Sequence, residues 1–103
     1  MDKIAGLKEI LELDPANSFA RYGLAMELTG RGETSAALAE FDTLLANEPG
    51  YTAGYFMAAQ TLSAAGRVGE AKERLKAGID CATRCGNLHA VSEMQAMLED
   101  LER

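Results

Sequence analysis

The sequence has few residues of the types on which most enzyme chemistry depends. Its 103 residues include one histidine, His89, and two cysteines, Cys81 and Cys85. Two cysteines do not make a disulfide framework, and in a reducing compartment they remain thiols. A Cys-His nucleophile pair would have to combine Cys85 with His89, and the only nearby group to orient it is Asn87. The sequence therefore predicts a protein that is not an enzyme.

Metal and phosphate sites are also not expected. Cys81, Cys85 and His89 follow one another at intervals of four, which on an unbroken helix would align three zinc ligands. Gly86 and Asn87 interrupt that helix, however, and no fourth ligand is evident. The glycine pairs in "TGRG" and "AAGRVG" could suggest a phosphate-binding loop. They lack the preceding strand and the following Lys-Ser/Thr that such a loop needs. We predict no metal and no cofactor, two half-buried thiols, and a histidine at the surface or between helices.

Basic residues and long apolar runs are scarce as well. Ten Lys and Arg stand against 16 Asp and Glu, so the formal net charge is −6, and a nucleic-acid partner is not expected. No stretch approaches 18 consecutive apolar residues, which predicts no membrane partner. The start "MDKIAGLKEI" is charged throughout and does not look like a secretory signal. We expect a cytoplasmic protein.

Scarce valine and isoleucine, with plentiful alanine, leucine and glutamate, favour helices over strands. A hydrophobic content of 48% in this length indicates one small folded domain. Apolar residues recur at steps of three and four and predict an all-α fold of six helices. The predicted helices lie at about 2–13, 18–30, 34 to the stop at "NEPG", 52–65, 68–84 and 87–102.

Proline occurs only twice, and the spacing indicates a repeat. The positions of Pro15 and Pro49 differ by 49 − 15, which is 34. Placing residues 18–51 over 52–85 at this offset aligns Leu28 with Leu62, Gly32 with Gly66, Ala37 with Ala71 and Phe41 with Leu75. Residues 1–15 fit as the second half of an earlier copy. The pattern predicts a helix-turn-helix unit that is repeated at this same offset.

At these positions the chain resembles the tetratricopeptide repeat family, whose signature reads W-x2-L-G-x2-Y, then A-x3-F, then P. The first full repeat matches at Leu24-Ala25, Leu28, Ala37, Phe41 and Pro49, and the second at Tyr55, Ala59, Leu62, Gly66, Glu70-Ala71 and Leu75. Arg21, Ala58 and Thr83 depart from the usual Trp, Leu and final Pro. The resemblance implies a right-handed α-solenoid forming one domain over 1–103: a half-repeat (1–15), repeats 18–51 and 52–85, and a capping helix (87–102).

The resemblance also implies that the first helix of each pair faces the concave side of the stack. No charged residue occurs from Tyr51 to Gly66, although the outer face of a helix usually carries Lys or Glu. Helical geometry places Phe19, Tyr22, Met26, Phe56, Met57 and Gln60 on this side. We predict that they bind a partner peptide or helix in an apolar concave groove, as an adaptor of unknown partner. Some relatives clamp a terminal carboxylate with Lys, Arg and Asn, and Tyr22, Met26 and Met57 replace such groups here.

Three other interpretations stay open at this point. The chain could be a structural homodimer whose groove is filled by its own twin. The C-terminal helix 87–102 could fold back and fill the groove, because exposed apolar patches on monomers are uncommon. The same cavity could instead carry a small molecule.

Overall fold

The described part of the chain consists of six α-helices joined by short turns. The structure is a computed structural model that describes residues 2–103. The helices are α1 (Lys3–Leu13), α2 (Ser18–Gly30), α3 (Thr34–Asn47), α4 (Thr52–Ala64), α5 (Val68–Cys85) and α6 (Leu88–Leu101). The described residues form no strand, and none of their helices is long and apolar enough to cross a membrane. The predicted all-α helical repeat fold is confirmed.

Asparagine and glycine set the helix boundaries. The side chains of Asn17 and Asn87 accept hydrogen bonds from the backbone N–H groups of Ala20 (2.9 Å) and Ala90 (3.1 Å). Each bond satisfies an amide that the first turn of a helix leaves without a partner. Gly32 and Gly66, which are equivalent in the two repeats, have φ angles of 76° and 79°. Glycine adopts this left-handed conformation without steric cost, so both turns have the same geometry.

The length of α5 follows from the absence of a proline. α1 and α3 end at Leu13 and Asn47, each two positions before a proline, Pro15 or Pro49. Proline disfavours helical backbone at the preceding residue and cannot donate a helical hydrogen bond. The equivalent position in the second repeat is Thr83, and α5 continues through it to Cys85.

The helices form two compact units. The first ends at Glu48, and in it α2 packs against both α1 and α3. The second is Pro49–Arg103, and in it α5 packs against α4 and α6, while α6 also contacts α4. The division of the chain into a half-repeat, two repeats and a cap within a single domain stays a prediction.

Small residues bring paired helices close, and large ones fill the space between them. Four alanines at equivalent positions of the two repeats are fully buried: Ala25, Ala37, Ala59 and Ala71. The large side chains of Phe41, Leu44, Leu62 and Leu75 are buried as well. Burial of a large apolar side chain stabilises the fold by about 1.5–3 kcal/mol. The packed face of α2 and α4 therefore stabilises the fold, and the opposite face of these helices carries the predicted binding residues.

Candidate functional site

Three predicted site residues meet in a pocket between α1 and α2. Phe19, Tyr22 and Met26 lie on one face of α2 and line a cavity of about 380 Å³. Its other lining residues are Lys3, Leu7, Gly23 and Glu27. Phe19 is 80% exposed, whereas Tyr22 and Met26 are half-buried. The pocket is therefore open to solvent and largely apolar.

Local packing explains the shape of the pocket. The ring of Tyr22 contacts Phe41 of α3 edge to face, with ring centres 6.4 Å apart and planes at 69°. This arrangement is a favourable one for two aromatic rings, and it holds Tyr22 against the core. Gly23 adds no side chain, and a Cβ placed there would lie 3.5 Å from Leu7 Cδ2. Because Gly23 has no side chain, the space beside Leu7 remains part of the pocket.

Charge is confined to the rim. Lys3 Nζ and Glu27 Oε1 are 3.2 Å apart, in a pair whose side chains are 76% and 30% exposed. Exposed pairs of this kind contribute about 0–1 kcal/mol because solvent screens them. The described lining residues include no cysteine, histidine or hydroxyl nucleophile apart from the Tyr22 phenol. The pocket is suited to burying apolar side chains.

The second-unit residues of the predicted site are arranged differently. Phe56 is half-buried and lines a smaller pocket of about 200 Å³ together with Asn87, which caps α6, and with His89 and Met94 of α6. Met57 is half-buried and Gln60 is exposed. Within this unit α6 reaches the first turns of α4, beside Phe56. The assignment of all six residues to partner binding stays a prediction.

Sequence reasoning missed the contribution of α1. Leu7 and Lys3 line the first pocket, although neither is among the six residues predicted to bind a partner. The repeat contained a signal for this role: Leu7 is equivalent to Phe41 and Leu75, which are both fully buried. Leu7 is only half-buried, because among the described helices α1 packs against α2 alone.

The cysteines and the histidine are separated by their environments. Cys81 is buried, with its Sγ 3.4 Å from Thr52 Oγ1 and 3.6 Å from the Pro49 carbonyl oxygen, whereas Cys85 is exposed. The expectation of two half-buried thiols was thus wrong, because α5 extends far enough to turn Cys85 to solvent. His89 is exposed and lies 3.2 Å from Glu93. Over residues 2–103, no group of three or more His, Cys, Asp or Glu side chains could hold a metal ion.

Comparison with known proteins identifies the family. A TPR repeat-containing protein of Pseudomonas aeruginosa is 27% identical over 100 residues, which are 97% of this chain and 95% of that protein. A tetratricopeptide repeat domain protein from Salinibacter ruber, solved by NMR, is 30% identical in sequence and superposes with a TM-score of 0.81. The match covers 86% of this chain and 90% of the Salinibacter chain. The TPR2B domain of yeast Sti1, solved as a complex with pHsp70, shares the fold at 16% identity with a TM-score of 0.89, over 96% and 79% of the two chains. The family model described as tetratricopeptide repeat matches residues 28–96. This chain belongs to the tetratricopeptide repeat family.

Proposed function

We propose that the protein is a non-catalytic interaction module that binds a partner peptide or helix through apolar side chains on α2 and α4. The family is generally a protein-interaction fold. The observation that carries the proposal is the open pocket beside Phe19, a phenylalanine that is 80% exposed. An exposed aromatic side chain at the mouth of an apolar pocket is typical of a binding surface.

Burial of apolar area supplies the driving force for such binding. Each Å² of apolar surface removed from water contributes about 25 cal/mol, less the cost of ordering the partner. Phe19 offers most of its ring, and Met26 offers a flexible thioether chain that adapts to different shapes. A partner that inserts one or two large apolar side chains beside Phe19 and Met26 would bury the most apolar area and so bind most tightly.

The family neighbours support a protein ligand. The TPR2B domain of yeast Sti1 was solved in complex with pHsp70, so a domain of this fold binds a protein ligand. In the present chain, Tyr22, Met26 and Met57 stand at positions where a carboxylate clamp would require Lys, Arg or Asn. We therefore propose that the partner's apolar side chains, rather than a terminal carboxylate, are recognised.

Affinity capture with matched variants tests the proposal. Phe19→Glu places a charge at the pocket mouth, and Leu88→Glu places one at a comparably exposed site on α6, where Leu88 is 74% exposed. A protein captured by the wild type should be lost with Phe19→Glu and retained with Leu88→Glu. The captured protein, once purified, should bind the wild type and Leu88→Glu with similar Kd values and Phe19→Glu with a higher Kd. Equal recovery with both variants would contradict a role for this pocket.

The homodimer alternative is tested separately. If a second copy occupies the pocket, sedimentation at micromolar concentration will show a doubled mass for the wild type and a monomer for Phe19→Glu. A monomeric wild type removes this alternative and leaves the pocket available to another protein.

A further inference from the structure

Both cysteines of the chain line one cavity beside the turn that precedes α4. The cavity measures about 360 Å³ and is lined by Pro49, Gly50, Cys81, Arg84 and Cys85. All five residues belong to the second unit, and the proposed function does not use them. Two thiols that open into the same space can bind one ligand together.

The two thiols lie one helical turn apart on α5. Cys85 Sγ is 3.5 Å from the carbonyl oxygen of Ala82, so this thiol is directed back along the helix, towards the turn that contains Cys81. Cys81 Sγ lies 3.6 Å from the Pro49 carbonyl oxygen and 3.4 Å from Thr52 Oγ1. The buried thiol is therefore held by groups outside α5, and the exposed thiol contacts α5 itself.

This spacing suits a bridging metal ion better than a disulfide bond. Residues four positions apart on a helix have their Cβ atoms about 5–6 Å apart. A disulfide needs Cβ atoms about 3.5–4.5 Å apart, which the last turn of α5 could provide only by unwinding. Two metal–sulfur bonds of about 2.3 Å each let the two sulfurs lie up to about 4.6 Å apart. One ion between the sulfurs can therefore join the two cysteines while α5 stays helical.

The two donors indicate which ion would bind. Thiolates are soft ligands that favour soft ions such as Cu(I) over magnesium or calcium. Zinc takes four ligands in structural sites, and from Asp2 to Arg103 no group of three or more His, Cys, Asp or Glu side chains could hold it. The expectation of no metal concerned such a zinc site. Cu(I), in contrast, is satisfied by two thiolates in a linear arrangement.

We propose that Cys81 and Cys85 together bind one Cu(I) ion, held between their two sulfurs in the cavity beside Pro49. Each thiol releases its proton as its sulfur binds the ion, and no electron is transferred. The charges of one Cu(I) and two thiolates leave a single negative charge on the complex. We call this pair of cysteines the dithiol site.

The groups around the dithiol site favour this negative complex. Thr52 Oγ1 can donate a hydrogen bond to Cys81 Sγ once the thiol proton is lost, as partners of metal ligands commonly do. Arg84 lines the same cavity and brings a positive charge. Its guanidinium also pairs with Asp80 at 2.9 Å, and both side chains are exposed, so solvent screens its contribution. Thr52 therefore gives the stronger support.

The extension of α5 creates the dithiol site. In the first repeat, the equivalents of Cys81 and Cys85 are Asn47, the last residue of α3, and Tyr51, which precedes α4. Pro49 lies between these two positions, whereas α5 continues through Thr83 to Cys85. Two side chains one helical turn apart are therefore available here only in the second repeat, because the helix is longer.

An anaerobic titration of the chain with Cu(I) tests the proposal. Competition with a chromophoric Cu(I) chelator such as bicinchoninate, followed by absorbance, gives the stoichiometry and the Kd. We expect one ion per chain, and Cys81→Ser and Cys85→Ser should each raise the Kd at least tenfold. Met57→Leu removes a soft thioether elsewhere in the same unit and should leave the Kd unchanged. Cys85 is exposed, so Cys85→Ser keeps the test valid even if Cys81→Ser disturbs folding.

Several results would overturn the dithiol site without affecting the proposed function. These are failure to take Cu(I) from the chelator, a Kd that Cys85→Ser does not change, or equal affinity for zinc. Half an ion per chain with a doubled mass in sedimentation would also overturn it, because the ion would then join the exposed Cys85 of two copies. A disulfide between Cys81 and Cys85 that forms with no loss of helical circular dichroism would contradict the geometric argument, because the sulfurs would then bond directly.

Discussion

Met26 and Met94 occupy equivalent positions separated by two repeats, yet Met94 is fully buried beneath α4 and Met26 lines an open pocket. The difference comes from the helix that covers one of them. Both residues are methionines, so their different exposure is set by the helices packed around them rather than by residue type.

Truncation of the two methionines should therefore have unequal effects on stability. Met94→Ala leaves a cavity where α4, α5 and α6 meet and should lower the free energy of unfolding by about 2–5 kcal/mol. Met26→Ala removes a side chain that is already half-exposed and should cost about 1 kcal/mol or less. Urea denaturation followed by circular dichroism measures both values. Similar losses would contradict the burial difference.

Two helical glycines should respond to alanine in opposite directions. A methyl group on Gly78 would lie 2.6 Å from Tyr55 Cβ, which cannot move unless α4 moves, so Gly78→Ala should destabilise the fold by about 1–3 kcal/mol. On Gly23 the nearest side-chain atom is Leu7 Cδ2 at 3.5 Å, an ordinary contact. Gly23→Ala should therefore stabilise the fold by about 0.5–1 kcal/mol through helix propensity. Thermal unfolding of the two variants measures both changes in stability. Changes of the same sign would contradict the packing described around one of the two glycines.

Tyr55 should make stability depend on alkaline pH. Its hydroxyl donates a hydrogen bond of 2.6 Å to the Pro49 carbonyl oxygen, and burial raises its pKa above the ordinary value of 10.0. Because the unfolded chain ionises first, the stabilisation is complete below pH 10 and is lost as pH rises through the folded-state pKa. Tyr55→Phe should cost about 1 kcal/mol at neutral pH and should flatten the decline above pH 10. Denaturation midpoints of wild type and variant between pH 7 and 11 provide the test, and parallel curves would exclude this residue as the cause.

Arg21 should stabilise the first unit through its pairing with α3. Its guanidinium contacts Glu40 Oε1 at 2.6 Å and donates to the Pro15 carbonyl oxygen at 2.9 Å, in a pair that is 15% and 25% exposed. A double-mutant cycle of Arg21→Gln and Glu40→Gln should give a coupling energy of about 1 kcal/mol. Arg21→Lys should lose most of it, since lysine lacks the planar fork.

The exposed pair Arg84 and Asp80, at 2.9 Å with side chains 74% and 67% exposed, is the matched control for that cycle. Its coupling should not exceed about 0.3–0.5 kcal/mol because solvent screens it. Equal coupling in the two pairs would mean that the partial burial of Arg21 has no energetic consequence.

Much of the fold could be predicted because its signals are local. Pro15, Pro49, Gly32 and Gly66 act on their own backbone dihedrals, so helix ends followed from residue type. The face of α2 that carries Phe19, Tyr22 and Met26 followed from the periodicity of the helix. The role of Leu7 did not, since a leucine on a helix has the same pattern whether its neighbour covers it or leaves it open. The burial of Met94 beside Gly78 was likewise not evident from α6 alone.

The sequence by itself determined the six helices, the helix-turn-helix repeat and the apolar character of the α2 face, because these depend on propensity, turn chemistry and spacing within one element. Tertiary structure alone decided that Leu75 and Met94 are sealed by a third helix while Leu7 and Met26 line a pocket. Whether an apolar side chain stabilises the fold or remains available to a partner depends on what packs against it, and that is a property of neighbouring helices rather than of the residue.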